Sequence, residues 1–172
     1  MLKKVMMALL ILFTAFLQCS VFQIFEIASI KPNLLIIVTV AFALMNGRKF
    51  GLWTGFFSGL CLDIMFPGNF GFQTLIYMWV GYLAGYAFRI FYDDDIKTPI
   101  VLVTIADLGY GMYEYIFSFL LRGRINFPFY LSRIIIPELL YTLIMTIVTY
   151  RLLYRINKRL GSSEKRSIDS LV

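Results

Sequence analysis

Residues 47–71 read GRKFGLWTGFFSGLCLDIMFPGNFG, an apolar run that repeats glycine at every fourth position over its first half. In a helix, Gly47, Gly51, Gly55 and Gly59 would lie along one face and leave a smooth groove. Each glycine costs a helix about 1 kcal/mol relative to alanine, so four in register need a compensating contact. Inside a membrane that contact is usually another helix at close range, and the spacing therefore predicts a helix-packing surface.

A second glycine pair, Gly81 and Gly85 of the motif GYLAG, has the same four-residue spacing. We therefore predict a helix-packing or partner groove that is formed by Gly51, Gly55, Gly59, Gly81 and Gly85. The sequence leaves open whether the helix that fills this groove belongs to this chain or to a partner protein.

The composition around this stretch excludes a soluble globular domain. The 172 residues are 60% apolar, 17% aromatic and 15% charged, and the mean hydropathy is +0.79. Ordinary soluble domains are about 45–50% apolar and about 25% charged. The apolar excess is larger than a core of this size could bury, so it must face lipid and indicates an integral membrane protein.

Apolar segments that could form membrane helices recur along the chain, and each must satisfy its own backbone hydrogen bonds inside a bilayer. Six are predicted, at residues 5–24, 32–45, 50–66, 70–92, 99–121 and 130–154. We therefore expect an all-α integral membrane protein, a bundle of six transmembrane helices within residues 1–160. The small and charged residues 161–172 predict a disordered cytoplasmic tail.

Basic residues concentrate at one set of helix ends. These ends hold Lys3, Lys4, Arg48, Lys49, Arg89, Lys97, Arg151, Arg155, Lys158, Arg159, Lys165 and Arg166, whereas the opposite ends hold Lys31, Arg122, Arg124 and Arg133. By the positive-inside rule, the richer set lies in the cytoplasm together with both termini. Because these residues flank apolar segments, the net charge of +6 indicates topology, and no nucleic-acid partner is expected.

Residue types that support catalysis or metal binding are scarce in this sequence. Histidine is absent, and Cys19 and Cys61 stand singly without metal-ligand spacing. The common nucleotide-binding, esterase and metalloprotease motifs are also missing. We therefore expect no enzyme activity, no metal and no cofactor.

Ionisable side chains occur inside the predicted helices, where they are costly unless they face the bundle interior. Helix lengths place Asp63, Glu114, Arg133 and Glu138 in the outer half of the membrane, with Asp107 nearer its middle. This predicted intramembrane polar cluster is either a substrate pocket or proton path, or a set of hydrogen bonds that fixes helix order. We favour the hydrogen bonds, because a sequence without histidine supplies a continuous proton relay poorly.

Together these features resemble the rod shape-determining protein MreD family of bacteria. The resemblance rests on Pro32 and Asn33 at the start of the second helix, on residues 47–71 and on the GYLAG motif. It implies a multi-pass subunit of the cell-elongation machinery in the bacterial inner membrane. It also implies partners, namely the single-span protein MreC and, through it, a class B penicillin-binding protein, the glycan polymerase RodA and the actin-like MreB.

The fold of that family is similar to the S-components of energy-coupling-factor vitamin transporters, which bind small molecules. A substrate-binding subunit of a vitamin transporter is therefore the alternative to a membrane scaffold for wall synthesis. S-components tend to have an AxxxA pattern on the first helix, whereas here Ala8 and Ala15 are seven residues apart. The sequence therefore favours the scaffold.

Overall fold

A computed structural model describes residues 2–24, 32–65, 71–87, 97–119 and 127–169 of the chain. Within these ranges no strand occurs, and the predicted all-α fold is confirmed for them. The α-helices are α1 (Leu2–Ile24), α2 (Leu34–Asn46), α3 (Arg48–Met65), α4 (Phe72–Ala84), α5 (Lys97–Glu114), α6 (Phe127–Tyr130) and α7 (Ile136–Asp169). A π-helical turn at Tyr115–Phe119 continues α5, and another at Leu131–Ile135 joins α6 to α7.

Helix α2 lies at the centre of the bundle. Every residue from Leu34 to Leu44 is buried, and the helix packs against α1, α3, α4, α5 and α7. A helix that is apolar on all sides is stable only when neighbours surround it in this way. Its 13 residues span about 20 Å, less than the ~30 Å hydrocarbon core of a bilayer. Both of its ends therefore need hydrogen-bonding partners from the chain itself.

The helices differ in whether they could cross a membrane by themselves. Two of them, at Lys97–Phe117 and Phe127–Ile156, are long and apolar enough to do so. The apolar helices at Met7–Gln18 and Leu34–Asn46 are shorter. Large apolar side chains such as Leu9 also cover the outside of the bundle, as expected of a surface that contacts lipid. Six spans and the orientation of the termini remain predictions.

The connection between α2 and α3 is a single residue. Asn46 is the last residue of α2 and Arg48 is the first of α3, so Gly47 alone reverses the chain. Its φ of 86° lies in the region that favours glycine. Gly47 is therefore part of the connection, and the interpretation that it is the first member of the helical groove is wrong.

The ends of two helices differ from the sequence prediction by several residues. Helix α4 ends at Ala84, before Gly85 and Tyr86 form a turn, whereas the predicted segment extends to residue 92. Glycine propagates a helix poorly, which accounts for a stop at this point; residues 88–92 lie outside the described ranges. Helix α7 continues to Asp169, whereas the predicted segment ends at residue 154. Extending an existing helix needs no new nucleation, so even a polar segment can continue one.

Candidate functional site

The predicted glycine surface lies between α3 and α4. A Cβ atom on Gly51 would overlap the carbonyl oxygen of Gly81, and a Cβ on Gly81 would overlap the carbonyl oxygen of Gly51. One turn further along α3, a Cβ on Gly55 would overlap the carbonyl oxygen of Tyr77. The two backbones are therefore in direct contact, an approach that only glycine permits.

The same close approach continues to both ends of the helix pair. At one end, a Cβ on Gly59 would lie 2.6 Å from the carbonyl oxygen of Gln73. At the other end, a Cβ on Gly85 would lie 2.7 Å from the backbone nitrogen of Arg48. The helix that fills the groove of α3 is thus α4 of the same chain, and a partner protein would have to bind elsewhere on the described surface.

Asp63 joins the C-terminal end of α3 to the start of α4. Its side chain is only 3% exposed and accepts hydrogen bonds from the backbone nitrogens of Gln73 (3.2 Å) and Thr74 (3.0 Å) and from the Thr74 hydroxyl. The N-cap residue of α4, Gly71, has no side chain to make these bonds. The carboxylate on α3 therefore caps a neighbouring helix and lies at the favourable, N-terminal end of its dipole.

Asn33 is the centre of a second polar group at the start of α2. Its side-chain oxygen accepts hydrogen bonds from the backbone nitrogen of Ile36 (3.3 Å) and from the hydroxyl of Tyr77 (2.6 Å). Its backbone nitrogen donates to the hydroxyl oxygen of Thr142 (3.1 Å). Asn33 is thus the N-cap of α2, whereas Pro32, predicted at the first helical turn, lies just outside the helix.

Asp107 extends this network to α5. It is 5% exposed and interacts with the side chain of Thr142, whose hydroxyl also accepts from Asn33. The Oδ1 atom of Asp107 has no hydrogen-bond partner among the described residues. Hydrogen bonds of Asn33 with Tyr77 and Thr142 join α2, α4 and α7, and Asp107 of α5 lies beside Thr142. We call these four residues the Asn33 network.

The structure does not bring the predicted polar cluster together as one group. Asp63 caps α4, whereas Glu114 and Glu138, on α5 and α7, are half-buried. Arg133 is exposed, and its guanidinium lies 5.9 Å from the ring centre of Phe129. Among the described residues it has no carboxylate partner. Arg133 lies in a π-helical turn, which shifts the helical phase that the 3.6-residue period assumes.

Sequence reasoning missed Tyr77 and Thr142 and left Asp107 out of the cluster. Tyr77 looks like one more apolar residue of a lipid-facing helix, yet it is fully buried. Thr142 has a usable signal, because Thr146 follows it by one helical turn inside an apolar segment and both are fully buried. Two threonines on one face of such a helix favour a buried polar contact.

Comparison with known families identifies a match over most of the chain. The family model described as rod shape-determining protein MreD matches residues 1–159, a range that contains α1 to α6 and most of α7. No curated protein and no solved structure matches the chain significantly. Because the family match covers far more than half of the sequence, the chain belongs to the MreD family of rod shape-determining proteins.

Proposed function

We propose that the chain is a scaffold subunit of the bacterial inner membrane that helps to control cell shape and lateral peptidoglycan synthesis. The observation that carries this proposal is membership of the MreD family, which implies a role in rod-shape determination. In the proposed complex the chain binds the single-span protein MreC. Through MreC it connects to a class B penicillin-binding protein, RodA and MreB.

The internal contacts support a structural role. A scaffold must present a fixed outer surface, which requires helices whose relative positions are determined. Glycine packing between α3 and α4, the Asp63 cap and the Asn33 network each join different helices. These polar side chains therefore hold helices together, which favours the scaffold over a catalytic role.

Purification from native membranes tests the proposal. The tagged chain is expressed in a strain that lacks its own copy, extracted in mild detergent, and its associated proteins are identified by mass spectrometry. We expect MreC and wall-synthesis proteins, together with restored rod shape. Association with two ATPases and a coupling membrane subunit would instead support a vitamin-transporter subunit and contradict the scaffold.

We also propose that the chain crosses the membrane six times with both termini in the cytoplasm. The distribution of basic residues supports this orientation. Single cysteines at Ser29 and Ser170, in a variant that lacks Cys19 and Cys61, test it. An impermeant maleimide added to intact cells should label the first position and not the second, and equal labelling would overturn the topology.

A further inference from the structure

An open groove runs between α1 and α3, on the side of α3 that faces away from α4. Trp53 and Phe57 form its wall on α3, about 200° around the helix from the glycines that contact α4. Its floor is buried, since Ile11 is only 1% exposed, whereas Leu12 on the α1 wall is exposed. The groove has a volume of about 730 Å³.

The length of the groove matches one leaflet of a bilayer. Its lining on α3 runs from Lys49 to Cys61, which are about 18 Å apart along the helix axis. One leaflet contributes roughly half of the ~30 Å hydrocarbon core. A transmembrane helix of a partner would need the full thickness, so the groove is long enough for one acyl chain and too short for a spanning helix.

Among the described residues that line this groove, Lys49 is the one basic side chain. Lys49 is exposed and has neither an ion pair nor a hydrogen bond with the residues that the structure describes. The adjacent Arg48 is engaged elsewhere, with its guanidinium 4.5 Å from the ring centre of Tyr86 on the α4 side. The ammonium of Lys49 is therefore available to an anion at the membrane surface.

We propose that this groove binds an anionic phospholipid, with one acyl chain along Ile11, Trp53 and Phe57 and the phosphate group against Lys49. The apolar walls accept the chain of any phospholipid. The unpaired ammonium adds preference for a headgroup with net negative charge over a zwitterionic one. In the proposed topology this lipid comes from the cytoplasmic leaflet. The site does not depend on the partners of the proposed function.

The two tryptophans of the chain provide a matched test. Trp53 lies in the groove, whereas Trp79 lies on α4 outside it, and their exposures are 55% and 56%. Trp79→Phe leaves only the groove tryptophan, and Trp53→Phe leaves only the reference tryptophan. Each variant is reconstituted into phosphatidylcholine vesicles that contain a minor fraction of brominated phosphatidylglycerol, and fluorescence quenching reports the local lipid. Brominated phosphatidylcholine at the same fraction measures contact with lipid that is not selected by charge.

We expect phosphatidylglycerol to associate with the Trp53 site about five-fold more strongly than with the Trp79 site, the factor that one basic side chain contributes near an anionic lipid. Lys49→Ala in the Trp53-only variant should remove this preference. Arg151→Ala, which neutralises an exposed cation of α7, should leave it unchanged. Ala8→Phe adds a ring to the α1 wall and narrows the groove, so it should reduce the quenching of Trp53 by both brominated lipids.

Three results would overturn the proposal. Equal quenching of Trp53 and Trp79 by phosphatidylglycerol would show that the groove holds bulk lipid without selection. A preference that survives Lys49→Ala, in a protein with unchanged thermal stability, would place the charge selection elsewhere. Protection of Trp53 from both brominated lipids would show that a protein segment, from a second copy or a partner, occupies the groove.

Discussion

The two faces of α3 differ in how closely they approach a neighbouring helix. The face with Gly51, Gly55 and Gly59 contacts the backbone of α4 directly, and we call it the closed face. The face on the other side of the helix is called the open face. The opposite face carries Trp53 and Phe57, whose stacked rings lie 6.1 Å apart, and leaves an open groove against α1. Because lipid is as apolar as the side chains, no hydrophobic drive closes such a groove. On these two faces of α3, side-chain size therefore determines how closely the neighbouring helix approaches.

The largest expected effect comes from breaking the closed face. A leucine in Gly55→Leu has no space, because even its Cβ overlaps the carbonyl oxygen of Tyr77, and backbone cannot move aside as a side chain can. We expect the free energy of unfolding to fall by about 3 kcal/mol or more, with insertion unaffected since leucine favours the membrane. Thermal unfolding of the purified protein in detergent measures the change.

The open face provides the control for this substitution. Phe57→Leu removes part of an exposed ring and leaves the backbone contact untouched, so it should change thermal stability little. If Gly55→Leu were as stable as Phe57→Leu, the close contact between α3 and α4 would not support the fold. The four-residue glycine spacing would then be incidental.

A smaller loss is expected where a side chain, and not the backbone, joins α3 to α4. Asp63→Leu leaves the backbone nitrogens of Gln73 and Thr74 without their acceptor, which should lower the free energy of unfolding by about 1–3 kcal/mol. Asp63→Asn keeps one acceptor oxygen and should lose less. Thermal unfolding of both variants checks the order, and equal losses would contradict the capping role of the carboxylate.

The closed face of α3 could be predicted from the sequence because spacing and residue size determine it. Gly51, Gly55 and Gly59 fall on one side of any regular helix, and their lack of side chains fixes what can approach. Which helix approaches depends on the order of helices in the bundle, and that order is set by contacts far apart in the chain. From the sequence, the helix that fills the groove could belong to this chain or to a partner protein. The structure places α4 of the same chain there.

The polar groups were harder to predict for the same reason. Asn33 and Thr142 are 109 residues apart, and no local pattern pairs them. The carboxyl group of Asp63 has identifiable neighbours only once α4 is known to begin close by. The predicted cluster relied on depth along the helices, which leaves open the direction of a side chain such as Arg133 around its helix. Position along a helix follows from the sequence, whereas the direction that matters for a contact depends on which helices are neighbours.

A still smaller effect is expected within the Asn33 network, which joins α4 to the central helix. Tyr77→Phe removes the hydroxyl that donates to the Asn33 side chain and keeps the ring, whose centre lies 5.7 Å from that of Tyr110. We expect a loss of about 1 kcal/mol, the usual net value of one hydrogen bond. Denaturation of the pure protein measures it. A neutral Tyr77→Phe combined with a destabilising Asn33→Ala would restrict the role of Asn33 to capping α2.

The smallest expected effect is a gain in stability. It separates the effect of helix packing from the effect of glycine on helix propensity. Gly109 lies within α5, but a Cβ atom there would meet no neighbouring atom within 4 Å, in contrast to Gly55. Gly109→Ala should therefore stabilise the protein by about 0.5–1 kcal/mol through helix propensity alone. Gly55→Ala has the same propensity gain and must still lose stability, because its methyl group overlaps the Tyr77 carbonyl. If both alanine variants changed the thermal stability in the same direction, helix propensity would account for the effect of both glycines. The contact between the backbones of α3 and α4 would then not matter for stability.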